Sequence, residues 1–207
     1  MGNLLTYSGL SAKIHAMQKF FLTDMDFRRM TILPSVADAV LFLSEHPSYG
    51  RIFGPVSSSD LHRGQIERLL YDSLYRDYDR LYLFSGPEPR RFLKLYFSHF
   101  EVRFLKQCLR SIINSRRPSP ETARTGDFFR KYSQLPAEAV SQCRTLEELT
   151  EALRGTVYHR ILSPLLAVPH PTLFDYETAL DLWYFSNIWR RKNKLFEGEG
   201  RKILTEA

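Results

Sequence analysis

The chain has little cysteine and no long hydrophobic segment. Only two of its 207 residues are cysteines, Cys108 and Cys143, and without a CxxC pair they indicate neither a disulfide framework nor a zinc motif. No apolar run approaches the roughly 18 residues that a membrane-spanning helix requires. The N-terminus also lacks the basic and then apolar segments of a signal peptide. We therefore expect an intracellular protein without a structural metal.

Glycine and proline are scarce as well, at 10 and 11 residues, which excludes collagen-like and low-complexity chains. Hydrophobic residues make up 43% of the chain and charged residues 25%, a composition typical of folded rather than disordered proteins. The period-two alternation of half-buried β-strands is missing, whereas apolar residues recur at helical spacing along the chain. These features predict an all-α protein of one or two domains.

Motifs for catalysis are absent. The sequence contains no Gly-rich phosphate loop, no HExxH and no GxSxG. The six histidines are scattered, and none is close to another histidine or a cysteine at metal-ligand spacing. Asp72, Asp77 and Asp79 alternate with arginines at helical spacing, which is typical of a solvated helix face. We predict no catalytic residue, no cofactor and no metal ligand.

Positive charge is concentrated in the first part of the chain. The net charge is +6, and residues 1–120 hold 17 Lys and Arg against 11 Asp and Glu. Such an excess indicates an acidic partner, which could be nucleic acid, phospholipid headgroups or an acidic protein surface. Charge alone does not choose among the three.

Five basic residues form a candidate docking surface for this partner: Arg103, Lys106, Arg110, Arg116 and Arg117. The first three share one face of a predicted helix, which we expect to be solvent-accessible, and the last two follow the helix end. Interaction with the helix dipole is an alternative explanation for Arg110 alone.

Helix starts are marked by capping boxes at Thr23 with Asp26 and at Ser35 with Asp38. A segment rich in proline, glycine and serine, 46–60, predicts a loop with one irregular turn. Two long helices follow at 60–84 and 87–114.

Because the break between these two helices is short, it predicts an antiparallel helical hairpin. Four residues form the apolar stripe of the first helix, Ile66, Leu70, Leu74 and Leu81, and we expect its three leucines to pack against the second helix. Six residues form the core stripe of the second helix: Leu93, Phe97, Phe100, Phe104, Cys108 and Ile112. A tyrosine stripe beside the leucines comprises Tyr71, Tyr75, Tyr78 and Tyr82. These tyrosines suit either the half-buried edge of a helix or a stacking platform for single-stranded nucleic acid.

An internal repeat is indicated by three blocks that recur in the same order at an offset of about 110 residues. One pair of blocks is the cap Ser35–Asp38 and the cap Thr145–Glu148. We predict a first helical domain over 1–117 that ends in the hairpin, a linker over 118–126 and a second domain over 127–207.

In this alignment the second domain is truncated within its last helix. One face of the helix predicted at 173–195 should then be uncovered. Its candidate exposed residues are Leu180, Tyr184, Ile188 and Trp189.

Several segments resemble the C subunit of the bacterial and archaeal V/A-type ATPases, whose eukaryotic relative is the d subunit of the vacuolar ATPase. The segment 3–9 (NLLTYSG) with 13–17 (KIHAM) resembles the opening of that family. The segment 62–70 (HRGQIERLL) resembles its first long helix, and 174–177 (FDYE) the corresponding helix of the second domain. His15 departs from the pattern, since the family commonly has arginine there.

The resemblance implies a non-catalytic, all-helical central-stalk subunit of a rotary ATPase. It also implies a funnel of three similar domains that links the central shaft to the membrane rotor ring, for ATP-coupled proton or sodium transport. Its place would be the cytoplasmic face of the membrane, as a peripheral subunit without a cofactor. Family members are longer, so we expect this chain to be an N-terminal fragment of about two thirds, without the third domain.

Two other classes of function compete with this interpretation. The basic region and the tyrosine stripe suit a helical nucleic-acid-binding protein, which should lose affinity steeply with salt. An enzyme that uses scattered carboxylates would need a deep pocket with perturbed pKa values.

Overall fold

The computed structural model describes residues 2–55, 61–114 and 128–195. All regular secondary structure in these ranges is helical, which confirms the all-α prediction. The chain folds into two compact units, Met1–Arg90 (unit 1) and Arg91–Ala207 (unit 2). No helix among the described residues is both long and apolar enough to cross a lipid bilayer.

The helices follow one another with short connections. Those of unit 1 are α1 (Gly2–Gln18), α2 (Asp24–Thr31), α3 (Val36–Glu45), α4 (Gly50–Phe53) and α5 (Arg63–Phe84). Helix α6 (Pro87–Ile113) begins in unit 1 and continues through unit 2. The others in unit 2 are α7 (128–132), α8 (Ala137–Gln142), α9 (Leu146–Ala152), α10 (Val157–Leu162), a 3₁₀ helix (Ser163–Ala167) and α11 (Leu173–Leu195).

A side-chain cap is present at each of the three predicted helix starts, and of these three Thr23 forms the complete capping box. Thr23 and Asp26 form a capping box in which the Thr23 amide donates to Asp26 at 2.8 Å. The Ser35 hydroxyl accepts from the Asp38 amide at 3.1 Å and begins α3. The Thr145 hydroxyl accepts from the Glu148 amide at the same distance and begins α9. These bonds satisfy N–H groups that a helix start would otherwise leave unpaired.

Unit 1 has a small core at the junction of α3 and α4. Its buried residues are Val40, Leu43, Ile52 and Phe53, with half-buried apolar side chains packed around them. The two helices approach closely at Gly50, where a Cβ atom would lie 2.6 Å from the Ser44 carbonyl oxygen. Only glycine avoids this clash, so Gly50 allows the tight connection.

Unit 2 has an aromatic core along α6. Phe97, Phe100 and Phe104 are each 2% exposed. The ring centroid of Phe129 in α7 lies 5.5 Å from that of Phe97 and 5.1 Å from that of Phe104. Phe128 packs edge-on against Phe100 at 5.7 Å. The core stripe predicted for this helix is confirmed by burial, apart from Ile112, which is half-buried.

The leucine stripe of α5 differs from its prediction. Leu70 is 38% exposed and Leu74 is 45% exposed, so the expectation that both are core residues is wrong. Ile66 of the predicted stripe does pack on the core of unit 1, together with Leu69, which lies outside the stripe. The neighbouring tyrosines agree with the half-buried edge of a helix, since Tyr78 is buried and the other three are intermediate.

The division between the units falls at Arg90–Arg91, inside α6. The sequence instead predicts the domain boundary in the polar linker over 118–126, which lies outside the described residues. The predicted domain limits therefore stay a prediction. The division within α6 has no local signal in the sequence. The helix is continuous over 27 residues, and its prolines occur only in its first turn, before the division.

Candidate functional site

Three basic residues of α6, Arg103, Lys106 and Arg110, form a row on one face, which we call the basic row. Their spacing of three and then four residues aligns them along the helix. Helix α11 provides the carboxylates that face this row. Lys106 Nζ donates to Asp181 Oδ2 at 2.5 Å, and Arg110 donates from two nitrogens to Glu177 at 2.6 and 3.1 Å.

The two ion pairs differ in exposure. The side chain of Lys106 is 18% exposed and that of Arg110 is 55% exposed. The hydrogen bond and charge of Arg110 lower the pKa of Glu177, although partial burial acts in the opposite direction. Since Arg110 is open to solvent, we expect this pair to orient the two helices more than it stabilises them.

These contacts correct part of the sequence prediction. Lys106 is less accessible to solvent than expected, because its side chain is paired with Asp181 and is only 18% exposed. Arg103 is half-buried, and Arg110 is exposed but already paired. Arg116 and Arg117 lie outside the described residues. The docking role of the five residues stays a prediction. Any partner that binds Lys106 or Arg110 would also meet the carboxylates of Asp181 and Glu177 on α11.

His99 lies one turn before the basic row. Its ring centroid is 5.6 Å from those of Tyr96 and Tyr184. Burial against these rings lowers the pKa of His99, and the charges of Arg103 and Lys106 lower it further, whereas Asp181 raises it. The His99 side chain is nonetheless exposed, so solvent screens the effect of these charges.

The groove between α6 and α11 has a volume of about 280 Å³. It is lined by the basic row, His99, Asp181 and Phe185, among others.

A second polar cluster surrounds Glu101, on the buried side of α6. Glu101 accepts hydrogen bonds from the Ser133 hydroxyl and, at 2.7 Å, from the Tyr158 hydroxyl. Burial raises the pKa of Glu101, while the two hydrogen bonds act to lower it. The carboxyl group thus connects α6 to the segment after α7 and to α10.

Sequence reasoning missed Glu101, although a signal existed. Glu101 follows Phe97 by four residues and precedes Phe104 by three, so it lies on the apolar stripe of α6. A carboxylate at such a position requires buried hydrogen-bond donors. The partners Ser133 and Tyr158 could not be identified, because they are distant in the sequence.

A cavity of about 660 Å³ opens beside Glu101, with Lys94, Tyr132 and Arg154 on its walls. Three of its lining residues, Glu101, Ser133 and Tyr158, are joined to one another by hydrogen bonds. The buried thiol of Cys108 is elsewhere on α6, and burial raises its pKa to about 12, which suppresses the reactive thiolate. Among the described residues, no cluster of three or more His, Cys, Asp or Glu could hold a metal ion.

The exposed face of α11 is not the predicted one. Leu180 is fully buried and Tyr184 is 8% exposed, so the expectation of exposure is wrong for both. Ile188 is half-buried, and Trp189 is exposed as predicted. The exposed residues include three that follow a spacing of three and four, which we call the apolar stripe: Leu182, Phe185 and Trp189.

Comparison with known proteins identifies relatives over nearly the whole chain. Residues 10–207 match the family described as ATP synthase (C/AC39) subunit. The C subunit of the A-type ATP synthase of Pyrococcus abyssi is 28% identical over 97% of this chain and 51% of its own length. The protein of the same name from Thermococcus kodakarensis is 24% identical over 97% of this chain and 52% of its own length.

The corresponding C subunit of Methanocaldococcus jannaschii is 23% identical over 99% of this chain and 51% of its own length. The chain thus spans about half the length of the curated relatives it matches, a smaller share than the two thirds expected from the sequence. Since the family match begins at residue 10 and extends to residue 207, this chain belongs to the ATP synthase (C/AC39) subunit family.

Proposed function

We propose that this chain is a non-catalytic coupling subunit in the central stalk of a V/A-type rotary ATPase. In this role it links the central shaft to the membrane rotor ring and transmits torque for ATP-coupled proton or sodium transport. It is a peripheral subunit at the cytoplasmic face of the membrane, and its contact with the membrane is indirect, through the ring.

The observation that carries this proposal is the family match over residues 10–207, together with relatives named as C subunits of A-type ATP synthases. Glu101, whose pKa burial raises, lines the larger cavity, and its two hydrogen bonds from Ser133 and Tyr158 suit a structural link between helices.

The physical properties of unit 2 suit force transmission. Close-packed interiors have low compressibility and transmit strain. The aromatic rings around Phe97 and Phe104 form such an interior, with centroid distances of 5.1–5.8 Å. An element that couples two moving parts needs this stiffness and requires no reactive group.

The test is reconstitution of the full chain with the shaft subunits and the rotor ring of the same organism's rotary ATPase. We expect the shaft to co-purify with the ring when the chain is present and to separate from it when the chain is omitted. The chain alone should not hydrolyse ATP. Equal association of shaft and ring with and without the chain would contradict the linking role.

The same preparation examines the nucleic-acid alternative. A nucleic-acid-binding protein should co-purify with bound nucleic acid and release it at high salt. We expect the ratio of absorbance at 260 and 280 nm to be that of protein alone.

A further inference from the structure

The cavity beside Glu101 has the size and the lining of a binding site. Its volume is about 660 Å³, and all of its lining residues belong to unit 2. Sites for small organic molecules commonly have volumes of about 300–1,000 Å³ and combine aromatic walls with a few polar groups. The polar group at this site is the carboxyl group of Glu101, together with the two hydroxyls that hold it, those of Ser133 and Tyr158.

The carboxyl group of Glu101 can accept further hydrogen bonds. Ser133 donates to Oε1 and Tyr158 donates to Oε2, so each oxygen is used once. A carboxylate has about four acceptor positions on its two oxygens. In the described part of the chain Glu101 forms no salt bridge, because its partners there are these two hydroxyls. A buried carboxylate without an opposite charge is costly, and a cation beside it would offset that cost.

Two cationic residues of the chain line the same cavity, but neither compensates Glu101. Arg154 is paired with Glu151, and its side chain is 73% exposed. Lys94 is exposed as well. The pKa of Glu101 is set by burial and by its two hydrogen bonds, with no contribution from either cation. Since water screens exposed charges, the carboxyl group keeps an uncompensated position in the cavity.

The aromatic walls of the cavity suit a cation more than an anion. Phe97, Tyr132 and Tyr158 line it, and the ring centroids of Phe97 and Tyr132 are 5.6 Å apart. The faces of such rings attract ammonium and guanidinium groups. Tyr132 already contacts one ammonium group, since Nζ of Lys131 lies 5.2 Å from its ring centroid. An anionic ligand would instead meet the charge of Glu101.

We propose that this cavity binds an organic cation, a primary ammonium or guanidinium group carried on a short alkyl chain. The cation donates to Glu101, and the alkyl chain lies against the aromatic rings. The same chemistry occurs in a free amine and in the lysine or arginine side chain of another protein. The inference goes beyond the coupling role and does not depend on it, because every residue that it uses lies in unit 2.

The first test is an NMR titration of the full chain, ¹³C-labelled at its glutamates, with n-butylammonium. Butanol and butyrate are the matched neutral and anionic probes, since they have similar alkyl chains. We expect butylammonium to bind saturably and to shift the carboxyl resonance of Glu101. Butanol and butyrate should bind at least tenfold more weakly, because neither brings a positive charge to the carboxylate.

Two substitutions identify the groups that hold the cation. Glu101→Gln removes the charge but keeps the size of the side chain, and we expect it to weaken butylammonium binding at least tenfold. Tyr132→Leu removes one ring and should weaken binding about threefold, as is usual for a partly exposed cation–π contact. Glu67→Gln on α5 is the matched control, because its carboxylate is 54% exposed and lies in unit 1. Circular dichroism melts verify that each variant is folded.

A second measurement needs no variant. In the wild type the pKa of Glu101 is followed by its carboxyl resonance, with and without saturating butylammonium. We expect the bound cation to lower this pKa, because an opposite charge favours the ionised carboxyl group. The pKa of Glu67, measured in the same spectra, should not change. An unchanged pKa of Glu101 would show that the cation binds elsewhere and would overturn the proposal.

The source of the cation is tested with Nα-acetyl-lysine methylamide, which carries the lysine side chain on a peptide backbone. Binding within about threefold of butylammonium would support a side chain from another protein as the occupant. Binding of butylammonium alone would support a free amine.

Three results would overturn the cation site itself: no saturable binding of butylammonium, equal binding by wild type and Glu101→Gln, or equal binding of butanol. None of them would alter the association of shaft and ring, so the coupling role and the cation site fail independently.

Discussion

Helices α5 and α11 correspond to one another in the predicted repeat, yet they bury different residues. In the predicted repeat, Leu70 corresponds to Leu180 and Leu74 to Tyr184. The two residues of α5 are 38% and 45% exposed, whereas those of α11 are 0% and 8% exposed. Similar helical patterns thus end in different environments.

The neighbours of each helix explain the difference. Helix α5 packs against α1 and α4, and it contributes Ile66 and Leu69 to the small core of unit 1. Helix α11 packs against α10, and its carboxylates bind the basic row of α6. An amphipathic pattern predicts which residues lie on the same face of a helix. The neighbouring helices determine which of those residues are buried.

The largest effect is expected in the aromatic core of unit 2. Phe104→Ala should lower the free energy of unfolding by about 3–5 kcal/mol, because a fully buried ring leaves a cavity. The measurement is urea denaturation followed by circular dichroism. Phe84→Ala at the end of α5 is the control, since Phe84 is 56% exposed. A loss below about 1 kcal/mol for Phe104→Ala would contradict its core position.

Leu70 of α5 and Leu180 of α11 provide a direct test of this difference in burial. We expect Leu180→Ala to cost about 2–5 kcal/mol, as is usual for a buried leucine. Leu70→Ala should cost about 1 kcal/mol, because more than a third of its side chain is already in water. Both are measured by urea denaturation under the same conditions. Equal losses would show that the two positions are buried alike in solution.

The buried carboxyl group of Glu101 predicts that the stability of unit 2 depends on pH. Burial raises the pKa of folded Glu101 above its usual value of 4.5. Its contribution to stability is therefore fully present below pH 4.5 and is lost as the pH rises through the raised folded pKa. Since glutamine does not titrate, Glu101→Gln should gain stability relative to the wild type across this window.

This gain is measured by urea denaturation of both proteins at several pH values. The same series is recorded for Glu67→Gln on α5, whose side chain is 54% exposed, as a control for the substitution itself. A difference for Glu101→Gln that is independent of pH would contradict the buried carboxyl group.

The smallest effect is expected for the ion pairs. A double-mutant cycle with Lys106→Met and Asp181→Asn should give a coupling free energy of about 0.5–1 kcal/mol. The Arg63–Glu67 pair within α5 should couple less, because its side chains are 91% and 54% exposed. Added salt should weaken the exposed pair first. A larger coupling free energy for Arg63–Glu67 than for Lys106–Asp181 would contradict the difference in burial between the two ion pairs.

Local features of the fold were predictable because their physics is local. The bounds of α11 coincide with the predicted 173–195, and α6 ends one residue before the predicted limit. Proline and glycine stop helices, and Ser or Thr side chains cap them, within a few residues of sequence. The core stripe of α6 was equally readable, since a helix aligns residues three and four apart.

Long-range pairing was not predictable from one sequence. The basic row was visible, but its carboxylate partners Glu177 and Asp181 are about seventy residues away, and no spacing rule connects two separate helices. The buried Glu101 was overlooked for the same reason, since Ser133 and Tyr158 reach it from distant parts of the chain.

The sequence by itself determined that the chain is helical, where its main helices begin and end, and which family it resembles. The tertiary structure decided which apolar faces are covered, that Lys106 and Arg110 are paired, and that the stripe Leu182, Phe185 and Trp189 remains exposed. The physical reason is that backbone hydrogen bonds and caps act within one helical turn. Burial and ion pairing instead depend on which surfaces meet after the chain has folded.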